Sequence, residues 1–309
     1  MNKFVKILRK LKIVRSFESW LDKISLPGFE GNSILQVGKF FIKSAFSEEL
    51  NLRSGYLAFS FFLALFPAII FLFTIIPYLP FKNLDIEILK QMELVLPKNV
   101  FETLNSTIKD IVQNKQGGLL SLGAISAIYF SSNGFMSMIH AFNSHRKRKT
   151  SPIKDRIKSI VLTIIVSIIL ILSVIIIVFT SLSISWIKSK GFIDSNIITL
   201  FYNALEYLSL LLLFIIVFSS LYFIGSSLSL RWNFFSPGSI LSSFLSFGAT
   251  ELFTYYVNNF NSYNKLYGSI GTIISLMLLI YFNSMIILIG FELNYSIYKA
   301  SKEKNSNFS

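Results

Sequence analysis

Three carboxylates lie inside long apolar runs of this 309-residue chain: Glu206 in ALEYLSLLLLF, Glu251 in FGATELFTYYV and Glu292 in LIGFELN. An ionised acid at mid-membrane costs ~2.5–3.5 kcal/mol on insertion scales, so each needs a partner, water or a proton, and each is a candidate for moving a proton or a solute. Glu206 lies a turn or two from one edge of its run, and Glu292 a similar distance from Lys299, so both can reach an interface. Glu251 is the least easily excused.

Other polar residues fall into register with these acids. At about 100° per residue, Tyr129, Asn133, Met136, His140 and Asn143 share roughly 80° of arc and form one stripe. Asn283, Gly290 and Asn294 share one face of the last apolar run, while Tyr281, Glu292 and Tyr295 share the opposite one. Pro67 leaves the Leu63 carbonyl without its helical donor, which makes a free acceptor on a small-residue face. Ser239, Ser243, Ser246 and Thr250 line one side of another run. Small residues in such stripes also serve close helix packing, and His140 by itself fits a hydrogen-bonded core residue.

The chemistry that is hard to build is as informative. Two histidines and no close cluster of acids leave little for a metallohydrolase, and no cysteine means no thiolate ligand or nucleophile. There is no phosphate loop and no Gly-x-Ser-x-Gly elbow. No cofactor and no enzymatic activity are expected. HRKRK at 145–149 reads as a topology signal that also attracts anionic lipid; no aromatic residues interleave with it, so nucleic acid is not the expected partner.

The elements that must position these groups are membrane helices. The chain is 53% hydrophobic and 15% charged. Apolar runs long enough to cross about 30 Å of hydrocarbon, some carrying a single Glu or His, occur at roughly 55–79, 118–142, 159–187, 201–227, 239–257 and 267–298. Lipid leaves backbone groups no partner but their own helix, which predicts an all-α polytopic protein with six transmembrane helices. Of 29 lysines and arginines, 21 fall on one side of that arrangement, so the positive-inside rule places both termini in the cytoplasm.

Three parts follow: a cytoplasmic amphipathic segment at 1–53, the six-helix domain at 54–298 and a polar, disordered cytoplasmic tail at 299–309. Phe4, Ile7, Leu8, Leu11, Val14, Phe17, Leu21 and Ile24, with basic residues between them, predict a helix on an anionic membrane surface, the alternative being a helix packed under the bundle, ended by a turn at LPGFEGN. Residues 80–116 read as two short amphipathic helices split at Pro97, forming a periplasmic cap or a hairpin lying on the outer surface. The third span, with only hydroxyls able to bond back to its own backbone, is expected at the lipid-facing periphery.

RSGYLAFSFFLALFPAIIFLF at 53–73, GGLLSLGAISAIYFSSNGFMSMIHAFN at 117–143, FNSYNKLYGSIGTII at 260–274 and LIGFELN at 288–294 resemble, in that order, the YihY/BrkB family of bacterial inner-membrane proteins. The resemblance covers roughly residues 40–300. It implies a six-helix protein of the cytoplasmic membrane with both termini inside and a role in exporting a solute or lipid; the family's former label, ribonuclease BN, does not suit a chain with no soluble catalytic domain. Pro67, Asn143, Tyr263, Asn264, Tyr267, Gly268, Ser269, Gly290, Glu292 and Asn294 match its pattern, and Glu251 does not.

With this topology Tyr263, Asn264 and Tyr267 overhang a helix start at Gly268 and Ser269, where bare amides can receive an anion or a carbonyl, or where Asn264 and Ser269 cap the helix. The leading expectation is a secondary transporter exporting a small polar solute or lipid-like molecule. Its path would run between the first, second, fifth and sixth spans, lined by Asn133, His140, Asn143, Glu251, Asn283 and Asn294. The alternative is a non-transporting envelope scaffold or assembly factor. Anionic lipid headgroups and a small solute are the expected partners, with an oligomer also open, in the bacterial inner membrane.

Overall fold

The computed structural model describes residues 12–75, 101–102, 105, 117–145, 151–190, 195–226, 234–259 and 269–306. Among them the chain is all-helical, with eight α-helices: α1 Lys12–Lys23, α2 Ile34–Ala45, α3 Glu48–Ile75, α4 Gly117–Phe142, α5 Pro152–Lys190, α6 Ser195–Gly225, α7 Pro237–Asn259 and α8 Ser269–Ser306. Four contain stretches long and apolar enough to cross a membrane, Glu48–Ile69, Pro152–Ser173, Tyr207–Gly225 and Ile273–Lys304. The other two expected spans fall on α4 and α7, which are 26 and 23 residues long. Pro67 lies within α3 without ending it. The cap expected at 80–116 and most of HRKRK lie outside the described residues.

From α3 to α8 each helix packs on its neighbour in the chain, and α8 returns to pack on α3, so six helices close a ring. One end of that ring is filled by Leu50, Leu57, Met138, Phe142, Leu221, Tyr222, Leu288 and Phe291, all buried. Close approaches make the seams tight: a side chain at Gly134 of α4 would put its Cβ 2.7 Å from the Phe61 ring of α3. Helix α5 exposes Ile157, Val161, Ile164, Ile168 and Leu172 along its length and buries Leu162 and Thr163, in keeping with a peripheral, lipid-facing position.

The amino-terminal segment is more structured than a single surface helix. The turn over 26–33 needs left-handed backbone, with Gly28 at φ +86° and Gly31 at φ +73°, and Gly28 lies so near Pro237 that a Cβ would meet its ring at 2.7 Å. Ser33 then opens α2 with a capping box, its hydroxyl accepting from the Gln36 amide, and it also donates to Asp22 at 2.7 Å to tie α2 to α1.

This segment corrects the reading of residues 299–309 as a disordered tail, because α8 remains helical through Ser306. The polar residues that made the tail look solvated have partners. Asn32 Nδ2 donates to Ser301 Oγ at 2.7 Å, Ser301 donates to Glu30 at 2.8 Å, and Lys304 reaches the Gly31 carbonyl at 3.3 Å. Phe29 and Val37 pack on Ile297 and Ala300, and Lys299 lies over the Phe40 ring. The Asn32–Ser301 bond spans 269 residues of sequence, beyond the reach of a local reading.

Candidate functional site

Helix α3 begins with acids and reaches Arg53 after one turn, just before its apolar run. Arg53 does not extend to water. Its Nη2 sits 2.8 Å from Oε1 of Glu292 on α8, whose side chain is buried, while Nη1 donates to the Ala141 carbonyl at 3.2 Å and to Ser144 Oγ at 2.8 Å. Ala141 lies in the last turn of α4, where carbonyls lack helical donors and the helix dipole is negative, so a guanidinium there meets two needs at once. One side chain thereby joins α3, α4 and α8. Glu49, one turn earlier, approaches Arg53 Nε at 3.8 Å from an exposed position, and that contact is worth little beside the buried one.

The residues next in sequence to these anchors form an aromatic plug. Phe142, after Ala141, and Phe291, before Glu292, stack with centroids 4.2 Å apart and planes 8° from parallel. Tyr222 of α6 stands against both, at 5.6 Å and 6.4 Å. A charged pair and three rings thus occupy one end of the ring of helices.

A second buried polar cluster lies where α7 starts. Asn294 Oδ1 accepts from the Gly238 amide at 2.7 Å and its Nδ2 donates to Ser236 Oγ at 2.9 Å, so the side chain caps a neighbouring helix. Ser236 and Ser239 bond each other's backbone amides, Ser219 donates to Ser239 at 3.1 Å, and Tyr222 bonds both Ser242 at 2.6 Å and the Ile287 carbonyl at 2.8 Å. Two glycines permit this: a Cβ on Gly290 would stand 2.6 Å from the Gly238 carbonyl oxygen. Replacing Asn294 by alanine leaves the buried Gly238 amide without its acceptor and should cost ~1–3 kcal/mol, read as a lower unfolding midpoint of the detergent-solubilised protein.

The candidate path residues therefore do not assemble into one lining. Glu251, expected to be the most demanding interior acid, is on an exposed face of α7; Asn133 and His140 are likewise exposed, with Tyr129, on the outside of α4. Tyr129 and Asn133 face Arg156 of α5. Asn283 donates to the Leu279 carbonyl of its own helix at 3.0 Å, and Asn294 and Gly290 belong to the cluster just described. Asn143 opens the short turn after α4, and its enclosed amide has no hydrogen-bond partner among the described residues. Pro67 is half-buried in α3. Tyr263, Asn264, Tyr267 and Gly268 lie outside the described residues, as does the side chain of Ser269, the first residue of α8.

Glu292, close to Lys299 in sequence, was expected to reach the interface. It points instead to Arg53, which the charge count had placed simply among the cytoplasmic basic residues. The only sequence signal for the pair is that Arg53 opens one of the distinctive stretches and Glu292 sits in another. Gly238 and Tyr222 carried no signal beyond their place in small-residue and apolar runs.

Comparison with known proteins places these residues in context. The family model described as Virulence factor BrkB matches residues 41–308. The chain belongs to the BrkB family. Within it, the chain is 32% identical over 275 residues to the ribonuclease-like protein YfkH of Bacillus subtilis (strain 168), covering 86% of this chain and 98% of that one. It is 24% identical to a UPF0761 membrane protein of Psychromonas ingrahamii and to the UPF0761 membrane protein NTHI0384 of Haemophilus influenzae, over 84% of this chain and 88% and 94% of theirs. No solved structure matches. This chain is thus a BrkB-family membrane protein. The match takes in Arg53, Glu292 and the α7–α8 cluster, and leaves α1 and the 26–33 turn outside it.

Proposed function

We propose that this BrkB-family protein is a secondary transporter that exports a small polar or lipid-like solute across the bacterial cytoplasmic membrane, and that Arg53, Glu292 and the Phe142–Phe291–Tyr222 plug form its cytoplasmic gate. All six helices α3–α8 cross the membrane in this reading, with both termini in the cytoplasm, and the plugged end of the ring is the inner one. The observation that carries it is the Arg53–Glu292 pair. Buried ion pairs rarely add net stability, because desolvating two charges offsets their attraction, whereas a pair that can part supplies two states of one interface. Glu292 released from Arg53 would be free to take a proton or a cationic group of the solute.

Liposomes containing the purified protein and loaded with a mixture of small polar metabolites test this by mass spectrometry of the external medium. At least one solute should leave faster than from protein-free vesicles, and Glu292→Gln should slow that solute about tenfold, the size of effect expected of a group acting in the transport step. No protein-dependent efflux of any solute would sink the transport reading.

A second reading rests on a different observation. Every polar group named in the α7–α8 cluster bonds another part of the protein, as expected of a static scaffold whose helices are held together rather than lining a wet path. Under that reading Glu292→Gln alters stability alone.

A further inference from the structure

We propose that the groove between α4 and α5 at Arg156 is a binding site for the phosphate of an anionic phospholipid in the cytoplasmic leaflet. Arg156 is held on two sides. Its Nη1 donates to Asn133 Oδ1 at 2.9 Å and to Ser132 Oγ at 3.1 Å, and its guanidinium carbon lies 4.5 Å from the centroid of the Tyr129 ring. These contacts fix the plane of the guanidinium and occupy one nitrogen. Nε and Nη2 have no hydrogen bond among the described residues, and they form the edge that receives two oxygens of a phosphate.

The surroundings favour a lipid over a free anion. Tyr129, Phe130, Ile125, Ile153 and Ile157 are all exposed on the same two helices, a surface for acyl chains beside the charge. Arg156 is four residues past the start of α5, and no charged residue follows Lys158 until Lys188, so the guanidinium stands at the inner edge of the hydrocarbon, where phosphates lie. Lys154 and Lys158, two residues to either side, fall on the opposite side of α5, where Lys158 donates to the Ser226 carbonyl at 3.2 Å, and Asp155 is buried. This end of α5 thus carries three basic residues against one buried acid, an excess of positive charge that favours an anionic headgroup over a zwitterionic one. The polar stripe of Tyr129 and Asn133, which a transport path does not use, acquires a role: it aims Arg156. This inference rests on the proposed orientation of the bundle and not on transport.

The test is native mass spectrometry of the full chain released from nanodiscs containing phosphatidylglycerol or phosphatidylcholine. The wild-type protein should retain phosphatidylglycerol, and Arg156→Gln should bind it about tenfold more weakly, with Arg156→Lys between the two because an ammonium keeps the charge and loses the fork. Lys154→Gln, which leaves the held guanidinium intact, should change retention less than Arg156→Gln. If Arg156→Gln does not accumulate, Tyr129→Leu serves: it removes the ring beneath the guanidinium and should weaken binding severalfold. Equal retention by Arg156→Gln, or by Tyr129→Leu in its place, overturns the proposal. Full displacement of the lipid by millimolar inorganic phosphate also overturns it, since the site would then be one for a free anion.

Discussion

Arg53→Ala should lower the stability of the solubilised protein by ~3–5 kcal/mol, among the largest effects of any single substitution in the chain. The loss has two sources. Glu292, buried on α8, would lose its counter-charge, and the Ala141 carbonyl and Ser144 hydroxyl at the end of α4 would lose their donor. Thermal unfolding in detergent measures it, with Lys39→Ala on α2 as a control expected to stay within about 0.5 kcal/mol of wild type. The double variant Arg53→Met with Glu292→Met separates stability from function. Apolar side chains of similar size remove both desolvation costs, so stability should return to near the wild-type value or above it while solute efflux stays lost. Recovery of both would make the pair purely structural.

Gly290→Ala is the second large effect. Its methyl would fall 2.5 Å from the Tyr222 hydroxyl and 2.6 Å from the Gly238 carbonyl oxygen, and it would overlap Ser242 Oγ. A flexible side chain can move aside, but the Gly238 backbone sits in the first turn of α7 and is itself bonded to Asn294, so α7 and α8 must separate. Overpacking of this kind costs ~1–3 kcal/mol and more where backbone is the obstacle. The parted helices should also free the cap on α7. The expected readout is a lower unfolding midpoint together with new protease cleavage near residues 234–238. Gly248→Ala on α7, where a Cβ meets nothing within 4 Å, should be neutral or slightly stabilising because alanine favours the helix. A Gly290→Ala protein as stable as wild type would mean that the two helices are not held at this distance.

The helices were legible because their cause is local. Twenty consecutive apolar residues in lipid have one way to satisfy their backbone, and all six such runs are helical over most of their length. The site was less legible because its cause is distant. Arg53 and Glu292 are 239 residues apart in sequence, so a rule that judges an acid by its distance from the next lysine placed Glu292 within reach of the interface and had no access to Arg53. Asn294 lay on a polar helix face, as expected, yet its partner is the bare start of α7 and not a solute, which no helical wheel can distinguish. The same limit applied to Asn133 and His140: periodicity gave their common face correctly but not its direction, and that face is exposed and partly taken by Arg156.

In the proposed transporter the ring of helices encloses a path closed only at its inner end. The natural sequence has no cysteine, so Asn283→Cys introduces a single thiol, nine residues and therefore about 13 Å along α8 from Glu292. Labelling with a membrane-impermeant maleimide, added to intact cells and to inverted membrane vesicles, reports which side reaches it. Reaction is expected from the outer face, none from the cytoplasmic face, and cytoplasmic reaction once Phe291→Ala opens the plug. A thiol that stays unlabelled from both sides in both backgrounds would mean a dry interior, contradict the gate, and leave the scaffold reading in its place.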